Sequence, residues 1–438
     1  MIKTAKNPDP SPKNSRPRTK KGEQKGVIKS PNSHNTNADK SPNLSPKNSR
    51  ANTQKSATNS HPSASASKQQ KIHATPENPA FLKEQIITYL GNKRALLGFL
   101  AQGFDFARGE LKKEKPSFLD MFSGSGVVSR YAKGFAGHII ANDLEDYSRI
   151  INSCYLANVD EKALCELKEI HKSLQIDDGE LKKGFISELY APKDDKNITK
   201  SDRVFFTARN AAYLDTMRAK ISREVPKEWQ DFFIAPLIYE ASVHSNTSGV
   251  FKGFYKDKMG VGKFGGSAGN ALARILGEIR LPMPIFSRFA CGFEVVQKEA
   301  SALARELESV DIAYFDPPYN QHPYGSNYFM LNLIANYAAP QDISRVSGIP
   351  KAWNRSAFNK ARLAEDALFE LVREIKAKIV LLSYNCEGFV RRENFERRLR
   401  RLGKCFVLEQ RYNAFRGSRN LSSRALHINE QLYVVVKR

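Results

Sequence analysis

Residues 316–319 read Asp-Pro-Pro-Tyr and close the apolar run Val310-Asp-Ile-Ala-Tyr-Phe315. One tight corner thus holds an acidic acceptor, two residues that fix φ and donate no hydrogen bond, and an aromatic ring. A strand running into Asp316 places the carboxylate at the carboxyl end of a sheet, where open α/β sheets bind ligands. The carbonyls that follow are held still, and Tyr319 offers a face on which a planar ring can stack. An extruded exocyclic amine needs this set: an acidic acceptor, a carbonyl acceptor such as that of Pro317, and a platform for its ring. Taken alone, the tetrapeptide is as readily a strand ending in a Pro-Pro turn, so other residues must decide.

A second corner lies upstream in Ser117-Phe-Leu-Asp-Met-Phe-Ser-Gly-Ser-Gly126, where Asp120, Phe122, Gly124 and Gly126 form a D-x-F-x-G-x-G turn. Glycines after a strand let the backbone approach a ligand and start the next helix without a Cβ clash. The acid ahead of them suits an amine-bearing ligand better than a pyrophosphate. The next apolar stretch, Gly137-His-Ile-Ile-Ala-Asn-Asp143, ends in an acid. In a mononucleotide-binding βαβ unit an acid there accepts hydrogen bonds from ribose hydroxyls. These segments describe a ligand that carries both a nucleoside and an amine.

With Tyr89-Leu-Gly-Asn-Lys93 placed before them, the chain resembles the Dam-like (class α) DNA adenine-N6 methyltransferases over roughly residues 80–438. The family's Y-x-G-x-K segment matches Tyr89, Gly91 and Lys93. Its D-x-F-x-G-x-G turn matches Asp120 to Gly126, its ribose acid Asp143, and its D-P-P-Y Asp316 to Tyr319. The resemblance implies a Rossmann-like α/β sheet with an inserted, mainly helical target-recognition domain, and S-adenosylmethionine as methyl donor. It implies Asp316, Pro317 and Tyr319 as catalytic residues, with the adenine flipped out of double-stranded DNA. Tyr89, Lys93, Asp120, Phe122, Gly124, Gly126 and Asp143 are then the expected cofactor residues. Where the family places Asp or Asn against the cofactor's adenine amine, this chain offers Glu299, which as readily reads as a surface acid. Asn320 to Tyr328, Ser245 to Gly249, Ser383 to Asn385, Arg416 to Asn420 and Glu430 resemble further segments of the branch that modifies short asymmetric or interrupted sites. A modification role beside a separate restriction endonuclease is the expected setting.

Three alternatives stay open in the sequence. Asp-Pro-Pro-Tyr also serves RNA adenine N6 or DNA cytosine N4, although cytosine-N4 relatives commonly carry Ser in place of the leading Asp. A protein that keeps the fold and binds DNA without turnover is the third. Methylation of cytosine C5 is disfavoured, because none of Cys154, Cys165, Cys291, Cys386 and Cys405 follows a proline. Their odd number and scatter point neither to a disulfide framework nor to a metal site. Reduced thiols in a cytoplasmic protein are expected.

The chain has 438 residues and a formal net charge of +23, which favours a polyanionic partner. Residues 1–80 hold 15 Lys/Arg against 4 Asp/Glu, so about half of that charge sits in a Ser-, Asn- and Pro-rich segment with the repeat Ser-Pro-Lys-Asn-Ser-Arg at 11–16 and 45–50. Residues 1–79 are expected to be a disordered basic tail. No apolar run is long enough for a membrane helix, and the start lacks the apolar core of a secretory signal.

The elements that position these corners follow from periodicity. Residues 81–112 read as helix around the Tyr89–Lys93 turn. Strands are expected at about 117–121, 138–143, 310–315, 377–384, 404–411 and 430–437. The expected layout is a cofactor half at 80–145, a mainly helical target-recognition insert at 146–293, and the second catalytic half at 294–438. In the insert, Leu164, Leu167, Ile170 and Leu174 show helical spacing, as do Met217 and Ile221. Asn246, Lys252 and Lys256 are its DNA-contacting candidates, in a stretch mixing cations, aromatics and glycines. Each lysine there is as readily a solvated loop residue.

Overall fold

The computed structural model describes residues 77–266, 269, 271–413 and 427–438; the basic tail up to residue 76 and the Arg416–Asn420 segment lie outside them. Seven strands build one sheet: β1 (Ser117–Asp120), β2 (His138–Asn142), β3 (Gly292–Val296), β4 (Val310–Phe315), β5 (Ala377–Asn385), β6 (Gly403–Asn413) and β7 (His427–Lys437). Their order is β3-β2-β1-β4-β5-β7-β6. The first five are mutually parallel, and β7 runs antiparallel to both β5 and β6. The expected Rossmann-like methyltransferase sheet is the one observed. Six of its strands lie where the sequence places them.

The inner parallel strands β1, β2, β4 and β5 are mostly buried on both faces, as helix-covered sheets require. All six residues of β4 are buried. Alternate side chains feed opposite layers: Phe118, Ile312 and Ile379 enter one, and Leu119, Ala313 and Val380 the other. The chain order reverses between β1 and β4, and Asp120 there pairs in register with Tyr314. That switch point brings the ends of β1 and β4, with their acids Asp120 and Asp316, side by side.

Three expectations need correction. Residues 81–112 are not one helix: Pro79–Lys83 and Leu97–Leu111 are helical, Lys93–Leu96 is a 3-10 turn, and the stretch between is irregular. β-branched Ile86, Ile87 and Thr88 resist helix there, and the backbone of Gly91 is left-handed at φ 74°. The strand β3 is not among the expected ones; it starts at Gly292, so the expected insert boundary falls inside it. The Asp146–Leu156 helix, expected within the insert, packs on the glycine corner after β1, where Asn152 Nδ2 donates to Ser123 Oγ at 3.0 Å.

The described residues of the 146–293 segment share their core with the rest of the fold. Ile150 and Tyr155, then Met217, Ile221, Phe233 and Leu237 from the helices Ala208–Glu224 and Asp231–Val243, share one apolar cluster with Phe81, Ile87 and residues 328–335. Among the described residues no helix is long and apolar enough to cross a membrane. All five cysteines are unpaired.

Arg130 ties the irregular 84–92 stretch to the sheet. Its buried guanidinium donates to the carbonyls of Phe81 (3.1 Å), Glu84 (3.1 Å) and Gln85 (2.8 Å), and it lies 3.6 Å from the Tyr155 ring centroid. Arg130→Met should strand these carbonyls and lower stability by about 3 kcal/mol, read from denaturant unfolding. An unchanged midpoint would mean that water replaces the guanidinium.

Candidate active site

The two corners meet in an open cleft of about 850 Å³, solvent at its mouth included, lined among others by Tyr89, Lys93, Asp120, Phe122, Gly124, Asp143, Glu299, Asp316 and Pro318. The structure therefore brings together residues separated by more than two hundred positions in the chain.

The glycine turn is built for close approach. Gly124 and Gly126 have φ of 49° and 73°, and a Cβ on either would lie 2.8 Å from Tyr89 Cε1 or 2.9 Å from Asn152 Oδ1. The Gly124 amide donates to Asp143 Oδ2 at 2.8 Å, and the Glu145 amide to Oδ1 at 3.0 Å. Asp143 thus closes the turn as well as facing the cleft, and burial raises its pKa. Asp120 accepts from Ser129 Oγ at 2.7 Å through Oδ2, while its buried Oδ1 has no partner among the described residues. Burial pushes its pKa up to about 7. A buried carboxylate oxygen without a partner marks a place for a donor, best a cationic one.

Tyr89 forms the wall. Its ring stacks on Tyr324 and Tyr328 at centroid distances of 4.9 and 4.7 Å. Its hydroxyl bonds that of Tyr147 at 3.0 Å. The next residue is clasped from the same side: Leu90 N donates to Tyr328 Oη at 2.7 Å, and Tyr324 Oη donates to Leu90 O at 3.1 Å. The segment following Asp-Pro-Pro-Tyr therefore holds the Tyr89–Lys93 turn in place.

Behind this wall lies a wider cleft of about 2150 Å³, which Tyr89 and Tyr324 also line, with Tyr319, Lys252, Asn385 and Tyr412. Tyr319 stands edge-on to Tyr384, and its carbonyl accepts from Phe389 N at 3.2 Å. Pro317 is buried. Lys93, expected as a cofactor residue, has a more specific place. It is 2% exposed, with Nζ 3.0 Å from Asp316 Oδ1 and 2.9 Å from Glu430 Oε1. Burial pushes the Asp316 pKa up to about 6 against the opposing pull of Lys93.

Other expected residues divide. Glu299 is at the rim and caps the Ala300–Glu306 helix, accepting from the amides of Ser301 and Ala302. Asn246 is 0% exposed, and its amide is used up: Nδ2 donates to Val204 O and Lys263 O, and Oδ1 accepts from Gly265 N. It braces its loop and has no group left for a base. Lys256 sits over the Phe254 ring at 4.7 Å, while Lys252 reaches His322 Nδ1 at 3.1 Å at the wide cleft.

Sequence reasoning missed Glu145, 4% exposed and lining the narrower cleft, whose Oε2 accepts from Asn332 Nδ2 at 2.6 Å. Burial, then the nearby Asp143, pushes its pKa up to about 8. Its position two residues past Asp143 is the available signal. Among the described residues, no group of three or more His, Cys, Asp or Glu is arranged to hold a metal.

Comparison with known proteins bears on this geometry. The family model of the D12 class N6 adenine-specific DNA methyltransferases matches residues 89–357. The type II methyltransferase M.NlaIII of Neisseria lactamica is 28% identical over 364 residues, covering 80% of this chain and 99% of that protein. The type II methyltransferase M.CviAII of Paramecium bursaria Chlorella virus 1 is 27% identical over 358 residues, covering 80% and 98%. The modification methylase LlaI of Lactococcus lactis subsp. lactis is 27% identical over 344 residues, covering 75% of this chain and 51% of that protein. The RNA, cytosine-N4 and non-catalytic alternatives are disfavoured accordingly. The matched segment runs from the Tyr89 wall through both acidic corners, and the chain belongs to the D12 class of N6 adenine-specific DNA methyltransferases.

Proposed function

We propose that this DNA adenine-N6 methyltransferase takes S-adenosylmethionine in the cleft between the two corners and is the modification component of a restriction-modification system. The observation that carries the cofactor assignment is the unpartnered Asp120 Oδ1 beneath two left-handed glycines. Asp120 would meet the cofactor's amine, Asp143 and Glu145 its ribose hydroxyls, and Phe122 and Glu299 its base end. Bound there, S-adenosylmethionine supplies an electrophilic methyl on a sulfonium centre.

The chain's own residues prepare the nucleophile. An adenine amine is weakly nucleophilic because its lone pair is conjugated with the ring. With Oδ1 held by Lys93, Asp316 Oδ2 and the Pro317 carbonyl accept the two N–H bonds and draw the nitrogen towards a tetrahedral form. The work is positioning and electrostatics. The flipped base enters from the wide cleft and stacks on Tyr319. Double-stranded DNA lies along that cleft, with Lys252 at its edge and the insert as target-recognition region. The restriction-modification role rests on the names of the relatives, two of them type II methyltransferases. A cognate endonuclease then acts as a separate protein, and the reaction takes place in the cytoplasm.

Unmethylated duplex DNA incubated with the protein and S-adenosylmethionine should yield N6-methyladenine by nucleoside mass spectrometry. Asp316→Ala should abolish it while leaving cofactor binding within about twofold. Full activity in that variant would remove Asp316 from catalysis. Asp120→Asn should weaken S-adenosylmethionine binding by about 10- to 100-fold, the worth of a charge-assisted hydrogen bond. Calorimetric titration giving an unchanged affinity would move the amine elsewhere.

A further inference from the structure

One buried acid serves the site without lining either cleft. Glu430 lies on β7, is 0% exposed, and falls beyond the segment matched by the family. Its Oε1 is 2.9 Å from Lys93 Nζ and accepts from Ser383 Oγ at 2.6 Å, and its Oε2 accepts from Tyr412 Oη at 3.3 Å. Lys93 Nζ is in turn 3.0 Å from Asp316 Oδ1. One ammonium bridges two carboxylates that come from opposite sides of β5, since β4 and β7 are its two neighbours. The Lys93–Asp316 Oδ1 contact is an ion pair without hydrogen-bond alignment, and among the described residues Asp316 Oδ2 has no hydrogen bond or closer ion-pair contact to a protein group.

A lone Lys93–Asp316 pair would be a poor acceptor. An ammonium facing a single carboxylate is free to sit between both oxygens, and it withdraws the electron density that an amine N–H needs. A second carboxylate on the far side of the ammonium corrects both faults. It fixes Lys93 at one oxygen, and it offsets the positive charge.

We propose that Glu430 is a positioning residue for methyl transfer: it holds the Lys93 ammonium against Asp316 Oδ1, so that Oδ2 stays open and basic towards the target amine. This rests on the reading of Asp316 as the amine's acceptor. The charged and titratable groups facing Asp316 are Lys93, Glu430, Asp120 and the hydroxyls of Tyr314, Tyr319, Tyr324 and Tyr412. Lys93 lowers its pKa and Glu430 raises it. The signs of the two variants are therefore opposite. Neutralising Glu430 leaves Lys93 unopposed, so Asp316 ionises at lower pH. Neutralising Lys93 makes it ionise at higher pH.

The test is the pH dependence of the single-turnover rate with saturating S-adenosylmethionine and plasmid DNA from a host without adenine methylation. Single turnover keeps product release out of the measurement. Glu430→Gln should move the acid limb down by about one pH unit and lower the plateau by about tenfold. Lys93→Gln should move the limb up by about one unit or more. Ser383→Ala, which removes a hydrogen bond from the same carboxylate without changing charge, should leave the limb in place. A Glu430→Gln enzyme slowed equally at every pH, with its limb unmoved, would overturn the proposal and leave Glu430 a structural acid. An unmoved limb in Lys93→Gln would overturn it equally, so either variant decides when the other does not fold. Failure of the parent reading looks different: Asp316→Ala would then keep the wild-type rate.

Discussion

Removing carboxylates from water is the constraint around which this fold is arranged. Asp120, Asp143, Glu145 and Asp316 line one cleft, and Glu430 stands behind it. Lys93 is the buried cation among them. A protein with a formal charge of +23 thus gathers acidic side chains at the place where the chain order of its sheet reverses. Isolated buried charges are expensive, and proteins keep them only with hydrogen bonds or counter-charges. Here the partners are backbone amides for Asp143, a serine for Asp120, an asparagine for Glu145, and one shared ammonium for Asp316 and Glu430. What is left unsatisfied, above all Asp120 Oδ1, defines the polarity of what fits.

The scaffold holds these groups through contacts distant in sequence. The Tyr89–Lys93 turn has no regular structure of its own. It is held by Arg130 beneath the preceding residues, by the hydroxyls of Tyr324 and Tyr328 on Leu90, and by two carboxylates on Lys93. These anchors come from the Val127–Ala132 helix, the helical segment at 324–328, the end of β4 and β7. The turn is therefore as rigid as the packing around it, and that packing includes the helices Ala208–Glu224 and Asp231–Val243, which share a core with apolar residues of the 328–335 segment.

The corners are legible in the sequence because each joins a strand to a loop with residue types that have few other uses together. Asp316 to Tyr319 and Asp120 to Gly126 fall at strand ends as expected. β3 is hard to see because it is a short edge strand whose residues are half exposed, so its alternation is weak. The Asp231–Val243 helix gives no clean periodicity, being apolar on nearly all sides and carrying Pro236, a residue that reads as a helix breaker, within it. Asn246 misleads for a different reason. Ser245-Asn-Thr-Ser-Gly249 has the composition of an exposed loop, yet its polar groups are turned inward to satisfy neighbouring backbone. The Lys93–Glu430 pairing spans most of the chain, and local patterns carry no information about such a contact.

The Tyr89 ring and its partner Tyr324 belong to both clefts at once. A ligand on either side rests on the same two rings, so immobilising them for one leaves less to immobilise for the other. Any two ligands held in the two clefts would be thermodynamically linked through this shared wall: the factor by which one tightens the other is returned in full. A wall shared in this way lets occupancy on one side be felt on the other before any bond is made or broken.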